Sequence, residues 1–155
     1  MIRQAVIEDI PRLAELFSQL HRHHVEIKPE TFRMPEPDWF EDRMSGILCG
    51  GETVLLVSES AEINGYAAIK VISVDTAEKY PRRMCYIDCF AVAENARRQG
   101  IGTALFEGVK EFARQHDCTS IQLGVTACNS GAVEFYRKMG LVPRTIQMEV
   151  KINGI

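Results

Sequence analysis

Ile10, Leu13, Phe17 and Leu20 recur at steps of three and four, with Leu16 widening the stripe, so they share one face of a helix. Asp9 can cap that helix, and Pro11 is tolerated in its first turn. Residues 2 to 7 alternate weakly before it, as an opening strand would. From His21 to Pro37 the periodicity dissolves and Pro29, Pro35 and Pro37 mark a loop. Asp38 then opens a second amphipathic helix through Phe40, Met44, Ile47 and Leu48, which ends at Gly50-Gly51.

Beyond the glycines the period changes from helical to extended. Thr53 to Val57 and Tyr66 to Val74 are β-branched runs separated by Glu62-Ile63-Asn64-Gly65, whose Asn-Gly pair predicts the turn of an antiparallel hairpin. A third extended run, Met84 to Val92, enters a charged, glycine-bearing loop at 94 to 102. There Ile101, Leu105, Val109 and Phe112 step out another helix. Ile121 to Val125 is a strand, Ala132 to Met139 a short helix ended by Gly140, and Ile146 to Ile152 an alternating terminal strand. The order is strand, two helices, three strands, helix, strand, helix, strand. That is an α+β chain with a mixed sheet and helices on its faces.

Length and composition narrow the function. At 155 residues, with 46% hydrophobic and 25% charged side chains, the chain is expected to be one globular domain, residues 1–155. A formal net charge of -3 argues against a nucleic-acid partner, which needs massed Lys and Arg. The first residues lack the apolar run of a signal peptide, and no stretch approaches the ~18 apolar residues of a membrane span. A soluble cytoplasmic protein without a membrane partner is the expectation. Cys49, Cys85, Cys89, Cys118 and Cys128 show no Cys-x-x-Cys pairing and read mostly as small buried hydrophobes. His21, His23 and His24 with Glu26 read as a polar helix end rather than a metal site, because helical spacing spreads them over different faces. No metal is expected.

The candidate chemistry lies where the run Met84 to Val92 meets its helix. Gly100-x-Gly102 falls at the helix start, where main-chain N–H groups lack intrahelical partners and the helix dipole is positive. Arg97 and Arg98 add attraction for an anion with two or three charges, so the loop fits a pyrophosphate. Two other phosphate loops fail on spacing. The dinucleotide fingerprint needs a third glycine where this chain has Leu105, and no Gly-Lys-Ser/Thr run exists for a P-loop.

Arg97-Arg98-Gln99-Gly100-Ile101-Gly102 resembles the Arg/Gln-x-x-Gly-x-Gly/Ala signature of the GNAT superfamily of acyl-CoA-dependent N-acyltransferases. Asn129 to Leu141 is similar to that family's Asn-x-x-Ala-x-x-Phe-Tyr-x-Lys-x-Gly-Phe segment, with leucine at the end. Arg3 to Leu16 follows its opening pattern, so the likeness spans the chain. The resemblance implies a central, mixed, mostly antiparallel twisted sheet of six to seven strands flanked by about four helices, splayed between the fourth and fifth strands. It implies acetyl-CoA as cosubstrate, held at Arg97, Arg98, Gln99, Gly100, Ile101, Gly102 and Thr103, with the pantetheine arm along Phe90, Ala91 and Val92 and near Asn129 and Tyr136. The bland role of Asn129 is to cap its helix. Relatives commonly dimerise, which makes a homodimer a further expectation.

The reaction implied is direct transfer of acetyl to a primary amine, of a small molecule, peptide or protein, in a ternary complex. Tyr136 occupies the position that protonates the leaving thiolate, and a phenol with pKa about 10 stays protonated at neutral pH. An alkylamine with pKa about 10 must first lose a proton. By alternation Tyr86, Asp88 and Phe90 share one strand face, where Asp88 is the only carboxylate; Asp88 or a water chain takes that proton. Alternation also turns Cys89 away from Asp88, against an acyl-cysteine. Phe32 and Trp39 are candidates to line the acceptor pocket. A noncatalytic acyl-CoA sensor on the same fold is the alternative, and it would have no use for Tyr136.

Overall fold

Five strands, β1 (Ile2–Gln4), β2 (Val54–Glu59), β3 (Ile63–Thr76), β4 (Lys79–Val92) and β5 (Ser120–Leu123), form one sheet in the order of the sequence. The first three neighbour pairs are antiparallel and β4–β5 is parallel, so the sheet is mixed and mostly antiparallel. Four helices accompany it: α1 (Ile10–Ile27), α2 (Asp38–Gly50), α3 (Ile101–Gln115) and α4 (Ser130–Lys138). The computed structural model describes residues 1–154. They form two compact units, Met1–Gly124 and the residues from Val125 onward.

In the first unit, strand alternation divides the side chains between two helical layers. Leu55, Val57, Tyr66, Ala68, Ala91 and Ala93 pack with Leu13 and Leu16 of α1 and Met44 of α2. The opposite face carries Leu56, Ala67 and Ile69 beneath α3, whose Leu105, Phe106 and Val109 are buried. A β4 strand long enough to pair with two neighbours, and a glycine-started helix directly after it, bring the loop at 93–100 to one end of the sheet.

Three local expectations are corrected. The 60–62 turn joins β2 to β3, and Asn64-Gly65 lies inside β3, beside a register shift at Ser58/Glu59. Gly65 is needed there for space: a Cβ would stand 3.0 Å from the Ala91 carbonyl and 3.4 Å from Ile101 Cγ2, where α3 begins. Asp9 does not cap α1. It accepts from Arg3 at 2.7 and 3.0 Å and from the Val6 amide at 2.8 Å. Finally, α1 does not stop before His21 but runs to Ile27, because His21 and His24 continue the face of Phe17 and act as rings in an aromatic cluster. His21 lies 6.3 Å from Phe17 and 6.0 Å from Phe40, and His24 lies 5.4 Å from Phe32.

In the second unit the Asn129 side chain accepts from the Ala132 amide at 3.4 Å and caps α4. Gly140, at φ 94°, closes it: its amide reaches the Arg137 carbonyl, and that of Leu141 reaches Tyr136, each at 3.0 Å. The terminal strand expected over 146–152 is not formed. A strand needs a ladder partner, and the described residues give that segment none, ending instead in a short 3-10 turn at Ile152–Gly154. The sheet therefore has five strands among the described residues rather than six to seven.

Candidate active site

The pairing of β4 with β5 stops at Ile87↔Leu123, while β4 itself runs on to Val92. The sheet therefore opens between its fourth and fifth strands over Asp88, Cys89, Phe90, Ala91 and Val92. Asp88 is the first residue of that opening, and a β-bulge puts it there. Ala68 faces Cys89 and Ile69 faces Ile87 in register, so Asp88 is the extra residue of β4. The bulge also reverses the alternation, which corrects the shared face expected for Tyr86, Asp88 and Phe90. The Phe90 ring meets Phe106 of α3 at 6.4 Å, whereas Asp88 Oδ2 lies 3.1 Å from Lys70 Nζ, and that ammonium stands 5.6 Å from the Tyr86 ring. Sequence reading missed Lys70; only the β3–β4 register, which sets Lys70 opposite Tyr86, reveals it.

Cys89 points into the core, where its Sγ is 2.9 Å from the Tyr66 hydroxyl. Burial pushes the Cys89 thiol up to about 11 and raises the Tyr66 phenol well above its usual range. At neutral pH Cys89 is a protonated thiol, a poor nucleophile. Cys85 is buried and its thiol is pushed up to about 12, chiefly by burial, whereas Cys49 and Cys128 are exposed, against the expectation of mostly buried cysteines.

Past Val92 the chain makes a 3-10 turn at Glu94–Ala96 and reaches Arg97, Arg98, Gln99 and Gly100, all exposed. Arg98 at φ 61° and Gly100 at φ 80° are left-handed. Left-handed residues are among those from which anion-binding nests of main-chain amides are built. Arg97 Nε donates to the Val92 carbonyl at 3.4 Å, which ties the loop back to β4, and Gln99 donates to the Asn95 carbonyl at 3.3 Å. Ala104 makes the bond to the Gly100 carbonyl, at 3.0 Å, so the amides of Ile101, Gly102 and Thr103 precede the first intrahelical bond of α3. That set of donors, with two guanidinium groups beside it, suits a diphosphate. Asn129 and Tyr136 belong to the second unit, Asn129 as the cap of α4 and Tyr136 within it, its ring 5.3 Å from that of Phe135.

Residues 12–141 match the model of the acetyltransferase (GNAT) family. The chain belongs to that family. It is 38% identical over 92 residues to the probable N-acetyltransferase san of Drosophila melanogaster, covering 56% of this chain and 49% of that protein. With the streptothricin acetyltransferase of Streptomyces lavendulae it is 29% identical over 100 residues, covering 64% and 49%. The chain thus spans about half the length of these two GNAT relatives. Among solved structures, a tetramutant of the BH1408 protein of Bacillus halodurans superposes with a TM-score of 0.93 at 28% identity, covering 98% of this chain and 99% of that one. Family membership supports acyl transfer as the general chemistry. No helix among the described residues is long and apolar enough to cross a membrane.

Proposed function

We propose that this chain is an N-acetyltransferase, with residues 1–155 as one catalytic domain, that moves acetyl from acetyl-CoA to a primary amine by direct transfer in a ternary complex. The observation that carries the reading is the exposed loop with left-handed Arg98 and Gly100, which leads into the amides of Ile101, Gly102 and Thr103, ahead of the Ala104 bond to the Gly100 carbonyl, at the end of the split strand β4. The diphosphate of the cosubstrate takes those amides with Arg97, Arg98 and Gln99. Its pantetheine arm takes the main chain of Phe90, Ala91 and Val92, with Asn129 as a further contact. The neutral amine attacks the thioester carbonyl, forming C–N. The C–S bond then breaks, and the thiolate takes the Tyr136 phenol proton while the proton shed by the amine goes to Asp88 or to a water chain. The protonated, core-facing thiol of Cys89 supports direct transfer over an acyl-cysteine.

The acidic balance of the chain suits a cationic acceptor, and Phe32 with Trp39 line its approach. One relative is named for acetylating streptothricin and another only as a probable N-acetyltransferase, so small-molecule and peptide amines both enter the test. Thiol release from acetyl-CoA is measured across amines, diamines, aminoglycosides and basic peptides, beside calorimetry with coenzyme A. Turnover with at least one amine class is expected. Tyr136→Phe should cut kcat by roughly a hundredfold with coenzyme A affinity retained. Coenzyme A binding with no turnover for any amine would favour the sensor reading, and no binding at all would remove both.

A homodimer is the assembly we infer. Its support is a row of exposed apolar side chains at every second position, Ile146, Met148, Val150 and Ile152, which a second copy of the chain would cover.

A further inference from the structure

We infer that Lys70 is a positioning residue for the reaction, holding Asp88 in the orientation in which it takes the acceptor's proton; this rests on the reading of the chain as an amine acetyltransferase. Three observations converge on that ammonium. Lys70 Nζ lies 3.1 Å from Asp88 Oδ2 and 5.6 Å from the centre of the Tyr86 ring, so both of its neighbours come from β4 and flank Ile87. Asp88 is the bulged residue of β4, and a bulge removes the cross-strand register that elsewhere fixes a side chain's direction. It is also the first residue past the end of β4–β5 pairing, where the sheet opens.

A strand residue in regular register is aimed by the pleat, but a bulged one needs another restraint. Lys70 supplies it from the neighbouring strand: one carboxylate oxygen is held by the ammonium, and the other is offered to the amine. Stability does not account for the pair. Its side chains are 38% and 37% exposed, and an ion pair so open to water contributes little to folding while ordering two flexible side chains. Position is what the contact supplies, and small displacements of a proton acceptor are costly to rate.

The test is a cycle of Lys70→Met, Lys70→Arg, Asp88→Asn and the double variant Lys70→Met/Asp88→Asn, read as kcat and KM for the amine and as acetyl-CoA affinity. Lys70→Met is expected to lower kcat about tenfold with acetyl-CoA affinity unchanged, and Lys70→Arg to restore most of the loss. In the Asp88→Asn background Lys70→Met should cost nothing further. Wild-type kcat in Lys70→Met, or the same loss in both backgrounds, overturns the role of Lys70 while leaving that of Asp88 intact. A wild-type rate in Asp88→Asn overturns both and assigns deprotonation to water. The absence of turnover by the unaltered chain with every amine is a separate failure, that of the acetyltransferase reading, and takes this inference with it.

Discussion

Arg98 and Gly100 both hold positive φ, 61° and 80°, yet their liberties differ. An L side chain in this region costs about 1–2 kcal/mol, which Arg98 bears and Gly100 avoids. A Cβ on Gly100 would meet no protein atom within 4 Å, so Gly100→Ala has no clash to relieve and is penalised by backbone strain alone. For a chain of this length that strain lowers the melting temperature by about 2–8 °C. If Gly100 belongs to the proposed diphosphate site, acetyl-CoA affinity should fall by more than the stability does, because the new methyl would stand in the path of phosphate oxygens toward the amides. Isothermal titration beside thermal melting separates the two; a variant that melts lower but binds coenzyme A as before would take Gly100 out of the anion site. This loop was legible in sequence because glycine spacing and paired arginines are local signals. Asp88 was legible as a carboxylate but not as a bulge, since a single inserted residue leaves no mark on composition and shows only when Ala68 and Ile69 find their partners.

At the scale of elements, the sequence reading succeeded for the body of each helix whose apolar periodicity was strong and failed at α1's end, where chemistry disguised it. The α3 stripe of Leu105, Val109 and Phe112 was plain, whereas the last turns of α1 were lost because imidazoles were counted as polar although they pack as rings. That packing has a pH consequence. Burial, with His21 and His23 nearby, lowers the His24 pKa below its ordinary 6.5. The unfolded chain therefore takes up this proton more readily than the folded one. Stability from His24 is complete above about pH 6.5 and is lost as pH falls through the folded value. Melting followed from pH 7.5 to pH 5 should show the unaltered chain losing more than His24→Phe, which keeps the ring against Phe32 and cannot titrate. Parallel curves would contradict it. The α3–β1 contact makes a second case. A Cβ on Gly108 would lie 2.8 Å from Ile2 Cγ2, so Gly108→Ala sets a helix-propensity gain of about 1 kcal/mol against overpacking of about 1–3 kcal/mol. Net destabilisation is expected, with relief when Ile2→Ala is added, and equal denaturation midpoints for single and double variants would refute the steric account.

Across the whole molecule, the mixed, mostly antiparallel sheet and its opening between the fourth and fifth strands agree with what the family resemblance implied, but the sixth strand did not form because alternation specifies a strand without supplying its neighbour. Ile146, Met148, Val150 and Ile152 are 80%, 87%, 81% and 76% exposed and stand at every second position of the sequence. Covering four such side chains yields on the order of 6 kcal/mol or more, comparable with the roughly 4–15 kcal/mol lost when two bodies associate. Main-chain ladder bonds then tip the balance, and the dimer is expected to dissociate on dilution rather than to be permanent. Sedimentation velocity should show the larger species growing with protein concentration. Met148→Lys, which sets a charge in the middle of the row, should leave monomer at every concentration while melting as before. If Met148→Lys sediments like the unaltered chain throughout, the apolar row is not what joins two copies.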